Sequence, residues 1–306
     1  MTSPLLFPVR LQGQKILVLD ETALPFKEEY IEVTDLEKAL WVLKEMKTRS
    51  LGQVLLFFYS CILFKDTFTP DTLSERFKEK RPTFDFSMLA AIINGQTKAG
   101  ISVEKGVENF IRGFDSLRRK RAQDLAALLP DQCAIATICN VNGELVYVYE
   151  ELQRLGKKAF FYVSETRPYL QGSRLTFWEF ARNNIPCKLI CDNQAAHLMR
   201  EGMINAVISG ADRATVKGDI INKIGTYALG RLAKHFAIPF YALTQYPRDI
   251  DIDSVIIEQR PQKEAFMYLQ GDFTDLAAVY PAFDVTKAEF VTRCCAIGSD
   301  NEVRGT

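Results

Sequence analysis

Cys133-Ala134-Ile135-Ala136-Thr137-Ile138-Cys139-Asn140 is a short run of small and β-branched residues that follows Pro130 and ends abruptly in polar ones. A run of this texture, apolar at successive positions, marks a strand covered on both faces. Four similar runs follow at 159–163, 187–190, 206–208 and 239–243, separated by helical patterns of roughly a dozen residues each. Strand and helix in alternation imply a parallel sheet with helices on both sides, the doubly wound arrangement. Ligands of such sheets bind outside the carboxyl ends of the strands. That rule directs attention to Cys139-Asn140, Glu165-Thr166-Arg167, Asp192-Asn193 and Gly210-Ala211-Asp212.

Upstream the texture differs. Lys15–Leu19 reads as a short strand after a turn at Gly13. Thr34-Asp35-Leu36-Glu37 fits a capping box, with Thr34 as N-cap and a helix running to about Met46. The apolar stretch 54–64 ends at Lys65, short of the ~18 residues a membrane span needs, and reads as a buried helix. Val103, Val107, Phe110, Phe114 and Leu117 recur at alternating spacings of four and three, the signature of a long amphipathic helix. Arg118-Arg119-Lys120-Arg121 then reads as a solvated helix end favoured by the dipole. The expected protein is therefore α/β. A mainly helical domain with short opening strands occupies residues 1–125, and a Rossmann-like doubly wound sheet occupies 126–306.

Bulk composition narrows the function classes. The 306 residues balance 38 Lys plus Arg against 38 Asp plus Glu, so charge gives no support for a nucleic-acid partner. Met1-Thr2-Ser3-Pro4 lacks the basic and apolar regions of a signal peptide. Seven cysteines with no C-x-x-C pair and only His197 and His235 argue for reduced thiols in the cytoplasm and against a metal site. No G-x-G-x-x-G, Walker-type loop or G-x-S-x-G occurs, which removes support for dinucleotide, nucleotide and α/β-hydrolase chemistry.

Each candidate residue has a plainer alternative. Cys139 could project a thiol into the crevice, or be a small buried hydrophobe. Arg167 offers a fork suited to a carboxylate or phosphate, or a structural ion pair with a neighbour. Asp212 could point at the crevice mouth from the small-residue turn Gly210-Ala211, or pair with Arg213. Gly218-Asp219 and Asn222-Lys223-Ile224-Gly225-Thr226 read as a loop feeding a helix whose N-terminus, with Lys223, could receive an anion. The two histidines read as packing or surface residues.

Taken in order, these segments resemble the methylthioribose-1-phosphate isomerases and their relatives, which include ribose-1,5-bisphosphate isomerase and the regulatory subunits of translation factor eIF2B. The resemblance covers most of the chain. It opens with Val9-Arg10 and Leu17-Val18-Leu19-Asp20-Glu21-Thr22-Ala23-Leu24-Pro25. It continues through Glu165-Thr166-Arg167-Pro168, Leu170-Gln171-Gly172-Ser173-Arg174-Leu175-Thr176 and Gly210-Ala211-Asp212-Arg213. It ends with Gly218-Asp219, Asn222-Lys223-Ile224-Gly225-Thr226-Tyr227 and Pro281-Ala282-Phe283-Asp284-Val285-Thr286. The resemblance implies Cys139 and Asp212 as catalytic pair, and Arg49, Arg81 (in Arg81-Pro82-Thr83), Gln171, Asn222 and Lys223 as substrate contacts. It implies a homodimer acting on a small sugar phosphate, with no metal or redox cofactor.

The chemistry it implies is an aldose 1-phosphate becoming a ketose 1-phosphate. Asp212 would act as the acid at the ring oxygen, its proton kept by burial in an apolar crevice, and Cys139 would serve the C1/C2 transfer. A related pentose phosphate isomerase, acting on 5-deoxyribose 1-phosphate or ribose 1,5-bisphosphate, and a non-catalytic eIF2B-like subunit are the alternatives. The departures lie in the substrate-holding parts. The family's R-G-A-P-A-I-G reads Arg49-Ser50-Leu51-Gly52 here, the histidine before the cysteine is Ile138, and the segment after Cys139 is shorter.

Overall fold

The computed structural model describes residues 3–82, 84–269, 271 and 276–297. Contacts divide the chain between Ser116 and Leu117 into two compact units.

The N-terminal unit opens with three antiparallel strands, β1 (Val9–Gln12), β2 (Lys15–Leu19) and β3 (Tyr30–Val33), in that spatial order. Helices α1 (Leu36–Lys44), α2 (Leu51–Leu63), α3 (Pro70–Lys80) and α4 (Phe86–Lys98) follow, then α5 (Val103–Leu128), which carries the chain across the division. The N-cap of α1 is Asp35, not Thr34. The Asp35 carboxylate accepts from Lys38 N–H at 2.8 Å, and the Thr34 hydroxyl only donates back to Asp35. The 54–64 stretch is a helix, as its all-round apolarity requires. Phe57 and Phe58 are fully buried, and their rings meet Phe77 at 5.3 Å, Phe86 at 5.6 Å and Phe110 at 4.7 Å.

The C-terminal unit is built on six parallel strands. They are β4 (Gln132–Ile138), β5 (Lys158–Ser164), β6 (Cys187–Ile190), β7 (Ala206–Ala211), β10 (Phe240–Thr244) and β12 (Arg293–Ala296), in the order β12-β10-β7-β4-β5-β6. Between them run α6 (Glu144–Arg154), α7 (Trp178–Arg182), α8 (Ala195–Arg200) and α9 (Thr226–His235). Successive residues of β5 show that both faces are covered, since side chains alternate across a strand. Phe161 packs on Tyr149 of α6 and Phe180 of α7, while Tyr162 joins the core with Met199 of α8 and Leu229 of α9. This is the doubly wound sheet that the alternating runs predict.

Two sequence expectations give way. Residues 220–223, expected in a loop, form β9 (Ile220–Lys223), which pairs antiparallel with β8 (Arg213–Ala214) and β11 (Phe283–Thr286). The basic run is no helix end, because α5 continues to Leu128. Its three-residue spacing turns Arg118 and Arg121 inward, with 1% and 6% exposure, and leaves Arg119 and Lys120 in solvent. Arg121 makes a two-pronged ion pair with Glu144, at 2.6 and 2.5 Å.

Candidate active site

From β4 the sheet grows through β5 and β6 in one direction and through β7, β10 and β12 in the other. The strand order therefore reverses between β4 and β7, and the crevice outside their carboxyl ends is where such a sheet binds its ligand. Ile138 pairs with Ser209 across these two strands. Cys139 leaves one of them immediately afterwards, and Asp212 leaves the other after Gly210 and Ala211. The missing side chain of Gly210 lets the surrounding loops close in. A Cβ there would lie 3.4 Å from Val141, in the loop after Cys139, and 3.9 Å from Asn222 Oδ1. Asp212 N–H donates to Ile221 O at 2.9 Å, turning β7 into the antiparallel ribbon. Its side chain is exposed at the crevice mouth, so the burial expected to keep its proton is not supplied by the fold.

Cys139 is half-buried with φ of 66°, a left-handed conformation that a non-glycine residue holds at a cost. Its N–H donates to Thr166 Oγ1 at 2.8 Å, and its carbonyl accepts from Thr176 Oγ1 at 2.6 Å. Thr166 is itself left-handed, φ 63°, and its N–H and that of Arg167 donate to the Asp192 carboxylate at 2.8 and 2.7 Å. The segment then crosses directly above the end of β5. A Cβ on Gly172 would sit 1.7 Å from Ser164 O, so only glycine fits. Next to it, Gln171 is 4% exposed and its Oε1 has no hydrogen-bond partner, a buried acceptor left open. Arg167 is spent on the protein itself: it donates to Ala265 O at 2.6 Å and stacks over Tyr268 at 4.3 Å.

Asn222 and Lys223 end β9, with 4% and 8% exposure. Asn222 Nδ2 donates to Thr226 Oγ1 at 3.0 Å, and Lys223 Nζ lies 4.7 Å from the Phe283 ring centre. The N-terminus of α9 packs on the end of β4, since a Cβ on Gly225 would come within 3.0 Å of Ile138. That terminus is not an open anion site. Asp284, opposite Asn222 in the ribbon, accepts from Gly225 N–H at 2.7 Å and Tyr227 N–H at 3.1 Å. Burial pushes its carboxyl up to about 6, against the two donors that pull it down. In Pro281-Ala282-Phe283-Asp284-Val285-Thr286 it stands as a lone carboxylate among apolar residues, the one local signal of a buried acid.

Arg49 and Arg81 belong to the N-terminal unit. Arg49 N–H donates to Glu21 Oε1 at 3.1 Å, beside Thr48 Oγ1 at 2.6 Å from the same oxygen. Burial, the larger influence, raises the Glu21 carboxyl. Ser50 has φ of 39° and ψ of −108°, the glycine-favouring conformation at the position where the resembling family has glycine. Arg81 caps α3, its N–H donating to Phe77 O at 3.0 Å, and Thr83 lies outside the described residues. His197 and His235 are exposed. Among the described residues, no group of three or more His, Cys, Asp or Glu could hold a metal ion. No helix there is long and apolar enough to cross a membrane.

Comparison with known proteins bears on this geometry. Residues 67–298 match the model of the initiation factor 2 subunit family. The methylthioribose-1-phosphate isomerase of Aquifex aeolicus is 32% identical across 93% of this chain, which spans 66% of that protein's length. The isomerase of the same name from Caldicellulosiruptor saccharolyticus is 33% identical, over 92% of both chains. Among solved structures, the 5-methylthioribose 1-phosphate isomerase of Pyrococcus horikoshii shares the fold, with a TM-score of 0.80 at 24% identity over 96% of this chain and 93% of that one. The delta subunit of eIF-2B from A. fulgidus superposes with a TM-score of 0.78 at 29% identity, covering 94% and 93%.

Proposed function

The chain belongs to the initiation factor 2 subunit family, and from that premise we propose that it converts S-methyl-5-thioribose 1-phosphate to S-methyl-5-thioribulose 1-phosphate, an aldose–ketose isomerisation of methionine salvage. The observation that carries this reading is the departure of Cys139 and Asp212 from adjacent strands at the point where the strand order reverses.

The C1 phosphate blocks the free hemiacetal through which a sugar ordinarily opens. Cleaving the bond from C1 to the ring oxygen therefore requires a proton on that oxygen, which Asp212 delivers. Asp212 is exposed in the chain alone, so the seated sugar is what removes water from it. The hydrogen on C2 then moves to C1 in a step served by Cys139. The C2 hydroxyl gives up its proton as the ketone forms, balancing the one given to the ring oxygen. The reaction is redox-neutral overall and calls for no external electron carrier. Gln171 Oε1 accepts a sugar hydroxyl, Lys223 anchors the phosphate and Asn222 holds a further polar group, while Arg49 and Arg81 are substrate contacts on the family resemblance alone.

The charge balance and the seven free thiols support a cytoplasmic protein whose partner is the sugar phosphate, with neither nucleic acid nor membrane. The homodimer rests on family resemblance. The test is incubation with methylthioribose 1-phosphate while ketose formation is followed, beside Cys139→Ala and Asp212→Asn. Both variants are expected to fold and to lose at least ~100-fold in rate. No turnover by folded wild type would sink the assignment and direct the search to 5-deoxyribose 1-phosphate and ribose 1,5-bisphosphate. Silence on those as well would leave the regulatory reading, which the delta-subunit likeness favours.

A further inference from the structure

Cys139 lies just beyond β4, and threonine hydroxyls take both of its backbone polar groups. Thr166 Oγ1 accepts its N–H at 2.8 Å, and Thr176 Oγ1 donates to its carbonyl at 2.6 Å. Each hydroxyl has a second bond that fixes its direction. Thr166 donates to Ser164 O at 3.1 Å, so its lone pairs remain for Cys139. Thr176 accepts from Asn140 Nδ2 at 3.1 Å, so its proton remains for the Cys139 carbonyl. Both threonines are completely buried, and Asp192 secures the Thr166 backbone from below.

The arrangement matters because Cys139 stands at φ 66°. For an L-residue that conformation is strained by the closeness of Cβ to the following carbonyl and persists only where the surroundings enforce it. A return to the extended region would swing the Cα–Cβ bond and carry the thiol away from its place. We propose that Thr166 and Thr176 are positioning residues that clamp the Cys139 backbone in its left-handed conformation and thereby aim the thiol at the substrate. The proposal rests on Cys139 being the reacting thiol. It gives the segment from Glu165 to Thr176 a second purpose. Gln171 faces the ligand, the two threonines face the cysteine, and Gly172 lets the chain pass close enough to β5 to do both.

The test compares Thr166→Val and Thr176→Val, which keep the branched shape and lose the hydrogen bonds, with Thr166→Ser and Thr176→Ser, which keep them. Thr286→Val serves as control, because that hydroxyl is buried on β11 without a partner. The valine variants are expected to lose about 10- to 100-fold in kcat with KM within about threefold, the pattern of a misplaced reacting group. The serine variants should recover to within about threefold, and the control should match wild type. A second readout needs no substrate. Iodoacetamide labelling of Cys139, followed by peptide mass, should accelerate several-fold in the valine variants and return to the wild-type rate in the serine ones.

Wild-type kcat and labelling in both valine variants would overturn the clamp, as would equal losses in valine and serine variants. If Thr166→Val does not fold, Thr176→Val tests the same idea from the other backbone group. Should wild type turn over no pentose phosphate, the function reading fails while the labelling comparison still decides the clamp.

Discussion

Asp284 carries a carboxyl pushed up to about 6 although two backbone N–H groups and a helix N-terminus favour its charge. Burial outweighs them. In the unfolded chain an aspartate titrates near ~3.9, so between these values the folded state holds the extra proton. The stability this group contributes is therefore fully present below about pH 4 and is lost as pH rises through about 6. Asp284→Asn removes the titration. Urea denaturation should show the wild type's advantage over the variant shrinking by about 1–2 kcal/mol between about pH 4.5 and about pH 7.5, each unit of displacement being worth ~1.4 kcal/mol. An advantage that stays constant would mean that Asp284 titrates as an ordinary aspartate. At this scale the sequence was only half legible. The lone carboxylate was visible, but its donors at Gly225 and Tyr227 lie almost sixty residues upstream, and nothing local announces that pairing. The left-handed backbone of Cys139, Thr166 and Leu170 was equally hidden, because left-handed turns are announced by glycine and none of these is glycine.

Arg121 joins four elements. From α5 it holds Glu144, the first residue of α6, and donates to the carbonyls of Thr244 at the end of β10 and Cys295 of β12. Arg118 stands 3.8 Å from the same carboxylate. Glu144 therefore answers two buried guanidinium groups, which makes the two sides of the pair unequal. Arg121→Met leaves Glu144 with Arg118 still beside it, whereas Glu144→Leu takes the carboxylate from both guanidinium groups, leaving Arg118 on Asn142 O and Arg121 on the two strand carbonyls. Breaking a buried ion pair costs about 3–5 kcal/mol. Glu144→Leu is expected in that range and Arg121→Met below it, as read from urea midpoints. The opposite order would show that Arg118 does not share the carboxylate. The elements themselves were largely readable. Four parallel strands, β4, β5, β7 and β10, announce themselves as apolar runs, because burial on both faces leaves little room for polar alternation, whereas the edge strand β6 exposes Lys188 and Leu189. The ribbon of β8, β9 and β11 does not announce itself, since β9 meets β11 across some sixty residues and the strands owe their conformation to one another. The inward turn of Arg118 and Arg121 was present as spacing, but a run of four basic residues reads as solvent-facing until Glu144 is known to lie beneath it.

For the whole molecule, the reversal of strand order follows from sequence only once the sheet is threaded, yet it decides where chemistry can occur. A sugar phosphate that binds there and not to the unfolded chain must stabilise the fold. At a hundredfold excess over its dissociation constant the gain is ~2.7 kcal/mol. Methylthioribose 1-phosphate is accordingly expected to raise the melting temperature of wild type and of Cys139→Ala alike, since that variant removes the proposed reacting thiol and leaves the proposed anchors in place. A wild-type melting temperature indifferent to this sugar, to 5-deoxyribose 1-phosphate and to ribose 1,5-bisphosphate would speak for a protein that works through its surface alone. The left-handed residues around the crevice also shape what this fold can become. Glycine holds such a backbone without strain, and marginal stability rewards every relaxation that function does not forbid. A descendant that ceased to need its thiol would be drawn toward glycine at position 139 and would fold more firmly for the change.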